Sequence, residues 1–294
     1  MMPSKQPVPT AEKSQQQELS ADYLDKVCAL PADFHGAGVM ASDVLRMMAR
    51  LLSEINLTQS AETGCGKTTL LFSQLSQSHC VFAKDVFGEA PSNDGEVKVN
   101  DSFGTGSFDT GSIQAVEGSN LLNLDSVRFI VGSTQHTLPR FKFEHSLDAV
   151  LIDGPHGYPF PELEYYYFYP RIRPGGLLFL DDIHIPTIWR MFEFLLEDEM
   201  FELVEVCAFT AAFRRTEKPC FDPMGDGWWL QRYNQNRQVQ AAALCRTRLE
   251  DILKRSNSEH DPLLSKDMSS LRPAVMLFRG TSFLLGKKLA WRLR

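Results

Sequence analysis

Two short apolar runs stand out along the chain, residues 149–152 (AVLI) and 177–180 (LLFL). Each stops on acid, Asp153 after the first and Asp181 with Asp182 after the second. Uninterrupted apolar runs of this length, separated by a helix-sized segment and a Pro-Gly-Gly turn, predict buried parallel strands of a βαβ unit. Upstream, Val44, Leu45, Met48, Leu51, Leu52 and Ile55 recur at helical spacing across 42–57, with Ser42 and Asp43 as starting caps. Residues 59–62 predict a short strand, Gly64, Cys65 and Gly66 a turn, and 67–75 a helix. Residues 79–83 form a second expected strand closing on Lys84 and Asp85, and 127–131 a third that runs into Gly132, Ser133, Thr134 and Gln135. A helix over 188–196 and a strand over 201–209, feeding a hairpin towards 213–216, complete the series.

Strands alternating with helices in this order predict a doubly wound α/β sheet with its core at about 40–216. The flanks differ in composition. Residues 1–18 are rich in Gln, Ser, Pro and Lys and are expected to be disordered. The segment 88–113, rich in Gly, Ser and Asp, reads as a long surface loop. The domain is expected to span 19–235. Residues 236–294 form a C-terminal helical extension, ending in a basic amphipathic stretch over 284–294 that reads first as packing and second as a membrane-surface or partner contact.

The chain has 294 residues, 43% of them hydrophobic, so it can bury a large core. A net charge of −7 provides no global basic field for nucleic acid or an anionic membrane, which leaves a small molecule as the default partner. Six cysteines without CxxC or metal-finger spacing, no apolar run long enough to span a bilayer and a polar N-terminus together predict a reduced, cytoplasmic setting. Homodimerisation is left open.

The stretch AETGCGKTT, residues 61–69, admits two chemistries. Gly66, Lys67 and Thr68 match the end of GxxxxGK[ST], and GLLFLDD resembles a strand ending in a magnesium Asp, which would give an NTPase. That pattern needs glycine at 61, where this chain has Ala61, and a Cβ there restricts the bend around phosphates. The other chemistry is an ExGxG turn of a nucleoside-binding domain. Glu62 then ends the first strand, Gly64 and Gly66 permit close backbone approach, and Asp85 at the next strand end can accept from ribose hydroxyls. A cationic sulfonium such as S-adenosylmethionine (SAM) needs no phosphate nest and suits an acid near the turn.

ETGCG, then GSTQ, then LDAVLIDGPHGYP and PGGLLFLDDI resemble the class I SAM-dependent methyltransferases, specifically the group with an IDGxHxYP signature. The likeness runs in order over about 60–206 and extends to the catechol and metal-dependent sugar O-methyltransferases. It implies a Rossmann-like sheet and O-methylation of a small hydroxylated metabolite. Cofactor contacts are implied at Glu62, Gly64, Gly66, Asp85, Ser133, Thr134, Gln135 and Asp153. It also implies a site for a divalent cation such as Mg²⁺ on Asp153, Asp181 and Asp182, and a catalytic pair of Asp153 and His156. His156 stands where the catechol family has lysine, and Asp182 where it has asparagine, so substrate identity does not transfer.

Residue chemistry agrees with part of this. Three carboxylates at adjacent strand ends repel one another unless protonated or bridged by a cation, and hard oxygen ligands suit Mg²⁺ or Ca²⁺. Asp182 can equally cap the following helix. His156 is the preferred general base because imidazole titrates near neutral pH, with His184 second and a purely structural histidine as the plain alternative. The aromatic run 165–169 reads as helix packing, and Trp228 and Trp229 as facing the acceptor. An NTPase, a methyltransferase acting on nitrogen or protein, and a non-catalytic SAM-binding scaffold stand as rivals.

Overall fold

The structure, a computed structural model, describes residues 19–32, 34, 40–84, 112–222, 225–237, 247, 248 and 250. The expectations for 1–18, for Asp85, for the loop up to 111, for the side chain of Trp228 and for most of the C-terminal extension fall outside them. By compactness the chain divides after Tyr233, and the unit up to that residue contains the whole sheet with its covering helices.

The order is α1 (Ala21–Ala29), α2 (Ser42–Ser53), β1 (Gln59–Thr63), α3 (Lys67–Leu75), β2 (Ser78–Ala83), α4 (Ser112–Glu117), β3 (Val127–Val131), α5 (Thr134–Thr137), β4 (Leu147–Ile152), α6 (Phe160–Phe168), β5 (Ile172–Leu180), α7 (Pro186–Glu197), β6 (Phe201–Cys207) and β7 (Thr210–Arg215). The seven strands lie in the order β3-β2-β1-β4-β5-β7-β6. The first five are parallel, and β7 enters antiparallel between β5 and β6. This is the doubly wound α/β sheet that the alternation of apolar runs and helices predicts.

Period-two alternation splits the buried strands between two cores. Leu178 and Leu180 of β5 join Phe82, Phe168, Phe192 and Phe213 on the face covered by α6 and α7. Leu177 and Phe179 join Met48, Leu52, Leu71 and Phe72 on the face covered by α2 and α3. The local starts are chemical. Ser20 Oγ accepts from Tyr23 N at 3.2 Å to cap α1, and Pro186 opens α7, where its missing N–H costs nothing.

Two local expectations are corrected. Helix α2 ends at Ser53 rather than 57. Pro174, Gly175 and Gly176 lie inside β5 instead of forming the turn before it. The strand takes up this sequence as an irregularity: the register with β4 shifts between Leu147 and Ala149, Gly175 has φ +78°, and a Cβ on Gly176 would stand 3.0 Å from the Asp148 carbonyl oxygen. Glycines that permit a turn equally permit a bulge pressed against a neighbouring strand.

The amino-terminal edge of the sheet is tied by one buried acid. Asp148 Oδ2 accepts from Thr58 N at 2.7 Å and Gln59 N at 2.9 Å, while Oδ1 pairs with Arg173 Nε. One carboxylate thus sets the entry of β1, β4 and β5. Asp148→Ala strands two backbone donors and a guanidinium, and should cost about 3 kcal/mol. Urea unfolding followed by circular dichroism checks this, an unshifted midpoint being the contrary result.

Candidate active site

The register brings the carboxyl ends of the central strands level. Thr63 is opposite both Phe82 and Ile152, and Ile152 is opposite Leu180, so the segments after β1, β4 and β5 leave the sheet together. Gly64 leaves β1 at φ +88°, donates from its N to Phe82 O at 3.0 Å, and lies so close to β4 that a Cβ would stand 2.4 Å from the Asp153 carbonyl oxygen. Only glycine combines that φ with that approach.

Glu62, fully buried, faces the start of α3. It accepts from Thr68 Oγ1 at 2.7 Å and from Thr69 Oγ1, and its Oε1 lies 3.2 Å from His79 Nε2. Thr69 Oγ1 in turn accepts from Gly66 N at 3.0 Å. The acid therefore braces the glycine turn and the N-terminus of α3, where negative charge is favoured. The same contacts tell against a phosphate loop. Thr68 is engaged by Glu62, and Lys67 is buried with Nζ donating to the Leu30 carbonyl at 2.7 Å.

On the neighbouring side Gly132, at φ +139°, turns β3 into the short helix α5. Ser133 Oγ pairs with His136 Nδ1 at 3.0 Å. Thr134 Oγ1 and Gln135 Oε1 are buried without hydrogen-bond partners, as is Glu164 Oε1. Unpartnered buried polar atoms are rare and call for a reason. Thr134 lies beside the Glu164 carboxyl, and Gln135 Oε1 is left without a partner just after the Gly132 turn. Asp85, the expected ribose acid, lies outside the described residues.

The acids after β4 and β5 gather with one histidine. Ligand atoms of Asp153, His156 and Asp182 all lie within 4.8 Å of one another. Asp182 takes φ +56° after the strand has ended, which swings its Oδ2 to 3.0 Å from His156 Nε2 and its Oδ1 to 3.5 Å from His184 Nδ1. Asp181 takes no part in this cluster, its Oδ1 accepting from Thr210 Oγ1 on β7. The set brought together is thus Asp153, His156 and Asp182, whereas sequence reasoning named Asp153, Asp181 and Asp182. Thr187 Oγ1 donates to the His156 carbonyl at 2.5 Å and fastens the loop to α7.

Electrostatics follows geometry. Burial, then the charges of Asp181 and Asp182, pushes the Asp153 carboxyl well above the usual range, and burial also raises Asp181. The hydrogen bond between Asp182 and His156 works on both partners, lowering the acid and raising the imidazole. A protonated His156 therefore offsets part of the negative charge gathered at this edge.

Sequence reasoning overlooked Thr63 and Glu164. Glu164 sits on the buried stripe of α6 with Pro161 and Phe168. A lone charge in that helical register is the signal that could have found it. In the run 165–169, Phe168 and Tyr169 are buried in the core and Tyr165 stacks on Tyr169 with ring centroids 5.0 Å apart, which is packing as expected. Trp229 is largely exposed.

Residues 61–183 match a family described as a methyltransferase domain. No curated protein matches the chain. Among solved structures, the chain is similar to the O-methyltransferase TomG of Streptomyces achromogenes, involved in tomaymycin synthesis and in complex with SAM, at 14% identity, TM-score 0.45, over 67% of this chain and 91% of that one. It is similar also to the O-methyltransferase of Bacillus cereus in complex with SAH, at 16% identity, TM-score 0.43, over 67% and 92%. A third is the SAH-bound methyltransferase PaMTH1 of Podospora anserina, at 12% identity, TM-score 0.43, over 73% and 100%. The family match spans the glycine turn of β1, the acid loop of β4 and the end of β5, so the part of this chain that carries the candidate site is the part that matches a methyltransferase domain.

Proposed function

We propose that the domain methylates a hydroxyl group of a small acceptor, with His156 as the general base. The observation that carries this reading is the cluster of His156, Asp182 and Asp153 at the same sheet edge as the Gly64 turn. SAM, when bound, supplies a methyl group open to in-line attack. The protein's tasks are then to align a nucleophile and to take its proton. Gly64, Thr134 and Gln135 would hold the donor. Asp182 orients the imidazole through the 3.0 Å contact at Nε2 and stabilises its charged form. Asp153 adds negative charge beside it.

A second reading of the same cluster has one observation in its favour: the His156 nitrogen lies within ligand range of both carboxylates. Asp153, His156 and Asp182 would then hold a divalent cation, which supplies Lewis-acid polarisation of the acceptor oxygen. Two carboxylates suit Mg²⁺ or Mn²⁺, and the imidazole among them also admits a borderline ion such as Fe²⁺ or Zn²⁺. In that case His156 is a ligand and cannot serve as the base.

Four outcomes are expected. In calorimetric titration the wild-type chain takes up SAM and Mg-ATP gives no heat, while Gly64→Val, which forces a branched side chain into φ +88° against the Asp153 carbonyl, loses SAM uptake. SAM uptake unchanged in that variant would remove the glycine turn from the donor site. His156→Ala should lower turnover of a hydroxyl acceptor by about 10²- to 10⁴-fold while SAM affinity stays within a few-fold. Because the Asp182 hydrogen bond raises the imidazole pKa, the base is blocked by its own proton at low pH. The wild-type rate should therefore rise with pH through a midpoint above that of an ordinary histidine, and a flat profile would exclude His156 as the base. Chelation separates the two readings: full turnover in excess chelator is expected for a histidine base, and loss restored by Mg²⁺ or Mn²⁺ for the cation site.

A further inference from the structure

Glu164 is a fully buried carboxyl on α6 with no part in the proton transfer assigned to His156. Its Oε2 accepts from Thr63 Oγ1 at 2.7 Å, and the same Thr63 oxygen accepts from the Asp153 backbone N at 3.0 Å. Gly154 presses against the carboxyl so closely that a Cβ there would stand 2.3 Å from Oε1 and 2.7 Å from Oε2. Helix α6 is thereby joined to the last residue of β1 and the first residue beyond β4, the same Asp153 whose carbonyl Gly64 leans on. The arrangement is costly. Burial pushes the carboxyl up to about 7. Oε1 has no partner, although the Thr134 hydroxyl is near enough to favour the charged form without a hydrogen bond of good geometry. An unsatisfied buried acceptor is destabilising, and an apolar side chain at this core-facing position would avoid that. Stability therefore does not account for an acid at 164.

We propose that Glu164 is a positioning residue for the methyl-donor crevice, acting through Thr63 to fix the Asp153 loop at the distance the Gly64 turn requires. The inference rests on the assignment of SAM to that crevice. Glutamine keeps an acceptor for Thr63 and supplies an amide donor for the space between Oε1 and Thr134, so the side-chain amide reproduces the link in its neutral form. Leucine fills the volume and breaks the link. Thr63→Val breaks it at the middle, removing both the donor to Glu164 and the acceptor for Asp153 N.

The test is SAM titration of the full chain and its variants, with thermal unfolding alongside. Glu164→Leu and Thr63→Val should each raise the SAM Kd tenfold or more, the double variant should be no worse than the weaker-binding single one because both cut one chain of contacts, and Glu164→Gln should remain within threefold of wild type. A residue that merely filled space would tolerate leucine and glutamine alike. SAM affinity of Glu164→Leu equal to wild type, or Glu164→Gln as weak as Glu164→Leu, overturns the proposal. Should Glu164→Leu fail to fold, Thr63→Val decides, wild-type affinity in that variant being the overturning result. Absence of SAM uptake by the wild-type chain overturns the donor assignment itself and is distinguished by that control.

Discussion

Gly64 approaches the Asp153 carbonyl more closely than any side chain would permit, and the site is organised around that contact. A residue with φ +88° and no Cβ lets the turn after β1 rest on the first residue beyond β4. Two chain segments with different chemistry, a glycine turn and a cluster of acids, thereby share one edge. Their alignment comes from the sheet: Thr63, Ile152 and Leu180 are in register, and Asp181 N donates to Ile152 O at 3.1 Å, so each segment leaves at the same height. Asp148 performs the corresponding task at the opposite edge, setting where those strands begin.

Crowding acids at one edge has an electrostatic consequence that the chain resolves residue by residue. Asp181 is given to Thr210, Asp182 to His156, Glu62 to the hydroxyls of α3 and Glu164 to Thr63. Asp153 is left with the least relief, and its carboxyl titrates far above the usual range. Burial is the larger cause, and the charges of Asp181 and Asp182 add to it. Repulsion of this kind favours a proton, an imidazolium or a metal cation in the space between.

Much of this was legible in the sequence because it depends on short-range pattern. The apolar runs at 149–152 and 177–180, each stopped by acid, mark β4 and β5 and place Asp153 and Asp182 at their ends. The motif ETGCG marks the turn at Gly64. Three features were not legible, each for a physical reason. Pro174, Gly175 and Gly176 read as a turn because the same conformational freedom serves a bulge, and only pairing with β4 decides between them. The departure of Asp181 towards Thr210 depends on β7, distant in sequence and antiparallel. The roles of Thr63 and Glu164 require knowing that α6 packs over the end of β1, although the charge on its buried stripe hinted that something there needed a partner.

The reversed direction of β7 also decides who governs which half of the site. An antiparallel strand beside β5 returns its own beginning to the active edge, so the 208–209 turn stands among the acids: Thr210 holds Asp181, Phe209 O accepts from Ile183 N at 2.9 Å, and the Phe209 ring lies 4.3 Å from that of His184. Gly64 follows β1, and Thr134 and Gln135 follow β3, so β4 and β5 stand between them and the hairpin. Exchange of a few residues at this hairpin tip thus retunes the side of the crevice lined by Asp181 and His184 and leaves the glycine turn as it is. Such separability lets one half of the edge vary while the other is inherited unchanged.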